Sequence, residues 1–186
     1  IAKESGADAI KFQTFVPGEC TGKFAVKVDY LKDAVPEDQS RYDLTQSYTL
    51  ELNKFKVIKN YCDKLGIEFI TTPDGKQSLD FIVNELKVKR LKTSSTDVTN
   101  LPFLKLIAAK NIPIIFSTGL STIAEVEEAM QVMSSFHDKI SILHCVSEYP
   151  APIEELNLRS IITMQKAFRK VIGFSDHTLG NTASIG

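Results

Sequence analysis

No stretch of this sequence approaches the roughly 18 apolar residues that a membrane-spanning helix needs, and its N-terminus lacks the pattern of a secretory signal. Neither sign of charge is in surplus. The 22 Lys and Arg nearly cancel the 23 Asp and Glu, and a formal net charge of -1 gives no general attraction to nucleic acid or an anionic membrane. Any basic site must therefore be local. Cysteine is scarce: Cys20, Cys62 and Cys145 are odd in number, widely spaced and free of any C-x-x-C pair. That pattern argues against a disulfide framework and a zinc knuckle, and it predicts reduced structural thiols in a cytosolic protein. Also missing are G-x-G-x-x-G and G-x-x-x-x-G-K-[ST], which removes the usual support for a dinucleotide or P-loop site.

What remains is an ordinary globular composition, 43% hydrophobic and 24% charged over 186 residues, for which one domain is the expectation. Strand-like runs fall at 9–15 (AIKFQTF), 68–73 (EFITTP), 88–95 (VKRLKTSS), 113–119 (PIIFSTG), 140–147 (ISILHCVS) and 171–177 (VIGFSDH). Between them apolar residues recur at helical spacing: Tyr48, Leu52, Phe55, Ile58, Cys62 and Leu65; Leu79, Ile82, Val83 and Leu86; Leu104, Ile107 and Ala108; Ile123, Val126, Met130 and Met133. These are expected to be core. Gly66 is placed to stop the first helix just before a strand.

Strand alternating with helix implies a parallel α/β sheet, because parallel neighbours need a crossover connection. Nearly every strand ends in polar residues, which favours a TIM-type (β/α)8 barrel with its site on the C-terminal face over an open sheet with one switch point. A full barrel needs eight strands and about 250 residues. The expectation is a partial barrel covering strands two to seven, the chain opening in the last turns of one helix and closing inside another. The interval 16–46, rich in Pro, Gly and charge, is too long for a simple connection and is expected to be an active-site loop.

Lys11 and Gln13 are two apart and share a strand face, as do Ser175 and His177. A lysine at a strand end either balances an anionic ligand or snorkels to water, and Lys11 and Lys92 are open to both readings. With Thr72, Ser95, Ser117 and Ser175 they would suit a small dianion. His177 is open as metal ligand, general base or hydrogen-bonded core residue. His144, inside an apolar strand, reads as a satisfied core histidine, and His137 as solvated. Tyr149, on a loop, could contact a sugar or pack the loop.

In order, "GADAIKFQTF", "FITTP", "LKTSSTDVTNLPFLKLIA", "PIIFSTGLSTIAEVEEA", "ILHCVSEYPAP", "NLRSI" and "IGFSDHTLG" resemble the sialic acid synthases, a family that includes the legionaminate and pseudaminate synthases. The resemblance spans almost the whole chain apart from 16–46. It implies a barrel followed by a C-terminal antifreeze-like domain in a domain-swapped homodimer. The implied reaction condenses phosphoenolpyruvate with an N-acetylated hexosamine such as N-acetylmannosamine, with Mn2+ or Mg2+, and releases phosphate. Lys11, Thr72, Lys92, Ser95, Ser117, Ser147 and Ser175 match positions that hold phosphoenolpyruvate; Gln13 and Tyr149 match positions near the sugar; His177 matches one of two metal-binding histidines. Lys11, Lys92 and His177 are the implied catalytic groups. The family's first-strand glutamate, eighth-strand histidine and antifreeze-like domain are expected outside this chain, leaving it incompetent by itself. Two other readings stand beside this one: another phosphoenolpyruvate-using 3-deoxy sugar acid synthase, and a non-catalytic anion-binding module.

Overall fold

The computed structural model describes residues 1–26 and 39–185. It divides into two compact units, Ile1–Val88 and Lys89–Gly186.

In the first unit, strand β1 (Ala9–Thr14) pairs in parallel with β2 (Glu68–Pro73), and Gln13 stands opposite Thr72. Alternation gives the pair two different faces. On one, Phe12 stacks on Phe69 at 5.2 Å and the Thr14 and Thr71 hydroxyls lie 2.9 Å apart. On the other stand Lys11, Gln13, Ile70 and Thr72. The interval expected as one loop holds two short helices, α1 (Pro17–Cys20) and α2 (Arg41–Ser47); the rest of that expectation, residues 27–38, lies outside the described residues. Ser40 and Asp43 form a capping box at the start of α2, with the Ser40 hydroxyl accepting the Asp43 N–H at 3.0 Å.

Helix α3 (Leu52–Leu65) buries Phe55 and Cys62. Gly66 ends it as expected: at φ 65° it turns left-handed, where a Cβ would be strained, and its N–H reaches back to the Cys62 and Asp63 carbonyls. The stripe does not extend as far as its spacing implied. Tyr48 falls between α2 and α3 and is 71% exposed, and Leu65 is exposed in the last turn. Helix α4 (Lys76–Phe81) widens directly into a π turn over Ile82–Leu86, with Leu79, Ile82 and Leu86 buried.

The second unit carries four parallel strands in sequence order: β3 (Leu91–Thr93), β4 (Ile114–Ser117), β5 (Ile140–Cys145) and β6 (Ile172–Ser175). Each is shorter than its apolar run suggested, so the polar ends form turns. Helices α5 (Leu101–Ala108), α6 (Ile123–Ser134) and α7 (Arg159–Phe168) connect them, and α8 (Thr182–Ile185) follows. In register, Leu91, Ile114, Phe116, Ile140, Ile142 and Ile172 share one face and are all buried, as strands covered by helices should be. Helix α6 buries Val126, Met130 and Met133 but leaves Ile123, expected in the core, 51% exposed in its first turn.

Candidate active site

The strand face opposite that apolar one holds the chemistry of the second unit. Register places Lys92 beside Ile115, Ser117 beside Leu143, and Cys145 beside Ser175, all facing the same way. Lys92 Nζ donates to Ser117 Oγ at 2.7 Å, and Ser117 is 2% exposed. A buried hydroxyl thus takes one ammonium proton, which fixes the cation in line with the strand ends.

Ser95 lies in the single 3-10 turn Ser95–Asp97 that follows β3. Its Oγ accepts the Gly119 N–H at 3.0 Å and stands 3.2 Å from Cys145 Sγ. Gly119 is tightly enclosed in this packing. A Cβ added there would lie 2.1 Å from Ser147 Oγ, 2.8 Å from Cys145 Sγ and 3.0 Å from Ser95 Oγ. Three small polar side chains, Ser95 after β3 and Cys145 and Ser147 at the end of β5, therefore converge on one glycine.

His177 is fixed on two sides. Its Nδ1 stands 2.6 Å from the Val146 carbonyl oxygen, which can only accept, so the proton is on Nδ1. In the neutral ring that leaves a lone pair on Nε2, 3.4 Å from Ser175 Oγ. The Tyr149 ring stacks on the imidazole at 4.3 Å between centroids, at the cis Tyr149–Pro150 peptide. An Nε2 lone pair held by a carbonyl at the opposite nitrogen is the form a metal-ligating or basic histidine requires, so His177 fits as one ligand of a divalent cation. Among the described residues, no three His, Cys, Asp or Glu side chains come together to complete such a site.

Asp176 has other partners. It accepts the Thr178 N–H at 2.9 Å and the Thr178 hydroxyl at 2.8 Å, and it also takes the Ser184 hydroxyl; these bonds, Ser184's foremost, hold its carboxyl below the usual carboxylate range. Asp176 therefore fastens the segment leading into α8.

In the first unit Thr72 is 1% exposed, and its buried hydroxyl has no partner. A buried hydroxyl without a partner is costly unless something satisfies it. Its register neighbour Gln13 and the nearby Lys11 are exposed in the chain. Even so, surrounding protein removes enough water from the ammonium to push its pKa down, and the charge of Asp74 acts in the opposite direction.

The remaining readings divide. His144 is satisfied, as expected: its Nε2 meets the Leu156 carbonyl at 2.6 Å and its ring faces Phe174. It also borders a cavity of about 730 Å3 with Thr118, Asn157, Thr163 and Met164. His137, expected to be solvated, is half-buried, and its Nδ1 accepts the Lys139 N–H at 3.2 Å. Its Nε2 is buried without a partner, and burial, then the charge of Lys139, pushes its pKa down. All three cysteines are free, but Cys20 is exposed and so is not a core thiol. Cys145, expected as a structural thiol, is buried and faces the Lys92 side. Gly119 is the member of this cluster that sequence reasoning did not single out. Among the described residues, no helix is long and apolar enough to cross a membrane.

Comparison with known proteins bears on the family and the fold. The N,N'-diacetyllegionaminic acid synthase of Legionella pneumophila is 39% identical over 184 residues, covering 96% of this chain and 51% of its own length. The enzyme of the same name from Campylobacter jejuni is 39% identical over 188 residues, covering 100% of this chain and 56% of its own. The chain thus spans about half the length of these curated relatives. Its fold matches the crystal structure of an N-acetylneuraminic acid synthetase from Leptospira borgpetersenii in complex with citrate, at a TM-score of 0.83 and 27% identity, over 98% of this chain and 59% of that one. The NeuB family model matches residues 1–186 from end to end, and the chain belongs to the NeuB family.

Proposed function

We propose that this chain is the phosphoenolpyruvate-binding part of a nonulosonic acid synthase, which joins phosphoenolpyruvate to an N-acylated amino sugar and releases phosphate. The observation that carries the reading is the Lys92–Ser117 pair beside a file of strand-end hydroxyls, in a chain that belongs to this family. Phosphoenolpyruvate presents a carboxylate and a phosphate. An ammonium held by a buried serine, with Ser95, Ser147 and Ser175 on neighbouring strand ends, supplies the charge-assisted donors those groups need. The second unit supports this by itself; Lys11, Thr72 and Gln13 join it as the family resemblance implies.

The two relatives compared above are N,N'-diacetyllegionaminic acid synthases. Phosphoenolpyruvate contributes only three carbons, so both acetyl groups of such a product must enter with the sugar. This favours a diacetylated amino sugar over N-acetylmannosamine here. In the reaction the methylene carbon of phosphoenolpyruvate attacks the sugar aldehyde and forms the new C–C bond. Water then adds to the cationic central carbon, and phosphate departs with its bridging oxygen from the tetrahedral intermediate. Lys92 and Lys11 balance the anionic charge throughout. Ser175 contacts the phosphate end, Tyr149 and Gln13 face the sugar, and His177 keeps its Nε2 lone pair available through the Val146 bond. His177 would hold a divalent cation, Mn2+ or Mg2+, together with the second histidine that the resemblance implies, and such a cation would supply Lewis-acid polarisation of the aldehyde.

As the resemblance implies, we read the active protein as a longer, cytoplasmic homodimer. It completes the barrel with a first and an eighth strand and adds a C-terminal antifreeze-like domain. The test is phosphate release by the full-length protein from phosphoenolpyruvate with Mn2+, comparing the diacetylated sugar with N-acetylmannosamine. Release that needs both sugar and metal, and falls by about 10²-fold or more in His177→Ala, is expected. A folded protein that releases phosphate with neither sugar would overturn the reading and favour a synthase for another sugar acid.

A further inference from the structure

Ser95 sits at the centre of a three-group contact that the function proposed above leaves unused. Its hydroxyl takes the Gly119 N–H at 3.0 Å and lies 3.2 Å from the Cys145 thiol, so it links the ends of β3, β4 and β5. The thiol is 6% exposed and shares its strand face with Ser175. Gly119 takes no side chain here without displacing its neighbours, because a Cβ on it would lie 2.1 Å from Ser147 Oγ and 2.8 Å from Cys145 Sγ.

A serine hydroxyl has one proton and two lone pairs. The Gly119 N–H occupies one lone pair. If the thiol donates into the second, the serine proton has no acceptor among these partners and is directed outward. If Ser95 instead donates to sulfur, a weak acceptor, that proton is lost to a ligand. A negatively charged oxygen bound on this face selects the first arrangement, because a hydrogen bond to an anion is about twice as strong as one between neutral groups.

We propose that Cys145 is a positioning residue: its S–H donates to Ser95 and thereby commits the Ser95 proton to an oxygen of bound phosphoenolpyruvate. The proposal rests on the function proposed above, and the experiment separates the two. In the full-length protein, Cys145→Ala, Cys145→Ser, Ser95→Ala and the Ser95→Ala/Cys145→Ala double variant are compared for KM of each substrate, kcat and melting temperature. Cys145→Ala is expected to raise KM for phosphoenolpyruvate about three- to tenfold, the range of one net hydrogen bond, with KM for the sugar unchanged. Cys145→Ser keeps a donor and recovers most of the loss. In the Ser95→Ala background the same Cys145→Ala change should add less than about twofold, because the two groups act as one unit.

An equal rise in both backgrounds would make Cys145 an independent packing residue and overturn the proposal, as would no rise beside an impaired Ser95→Ala. A Ser95→Ala variant with unchanged KM for phosphoenolpyruvate, or a wild type that does not consume it, would instead remove the functional reading, and the proposal with it. Cys145→Ser, close in size and polarity, keeps the comparison available if Cys145→Ala does not fold.

Discussion

Lys92, Ser117 and Ser175 were legible from sequence because each is a polar residue where an apolar run stops, and register puts them on one face. Gly119 was not, since its role comes from packing between segments distant in the chain. No local pattern marks a glycine as the floor beneath three polar side chains. The tightness of that floor is measurable. Gly119→Ala should destabilise the protein by about 1–3 kcal/mol in urea unfolding, the usual range for overpacking. Pairing it with Ser147→Gly, which deletes the nearest clashing oxygen at 2.1 Å, should recover part of the loss. If Gly119→Ala is as stable as the parent, the neighbouring side chains rotate aside at little cost and the cradle is looser than described.

The order of strands and helices was readable wherever periodicity was long, as in the stripe of α6 and the Gly66 stop. It failed for short or diluted elements. Helix α7 keeps only Met164 buried among ten residues, which leaves little apolar signal, and α2 is seven residues inside a polar interval. Nothing in the spacing of Ile82 and Leu86 separates a π turn from an α turn. The start of α6 offers a quantitative check. The Thr122 hydroxyl accepts the Glu125 N–H at 3.3 Å, while the Glu125 carboxylate takes the Thr122 N–H at 2.7 Å and its hydroxyl at 2.8 Å.

Thr122→Ala should lower stability by about 1 kcal/mol. The two bonds from Thr122, the backbone one first, hold the Glu125 carboxyl below its ordinary value. A folded pKa beneath the unfolded one gives stability that is present above about pH 4.3 and is lost as pH falls through the folded value. Glu125→Gln should therefore be destabilising in urea melts at neutral pH and nearly neutral once both forms are protonated. Equal effects at both pH values would assign the cap to hydrogen bonding alone.

Across the second unit the strands divide their labour by alternate positions, and adjacent residues of β4 make the contrast testable. Phe116 is fully buried on the helix-packed face, and Ser117 faces Lys92. Phe116→Ala should cost about 3–5 kcal/mol, as large-to-small changes in cores do. Ser117→Ala should cost about 1 kcal/mol, one net hydrogen bond, while raising KM for phosphoenolpyruvate in the full-length protein. A Ser117→Ala variant that unfolds as readily as Phe116→Ala would show that the polar face is also needed for the fold. The alternation has a further implication for how such proteins diversify. Changes confined to one parity of strand positions can explore new acceptors while the other parity keeps the chain foldable. A mutational library restricted to the polar parity should therefore be rich in folded members with altered chemistry, whereas one drawn from the apolar parity should mostly yield chains that never reach a native state.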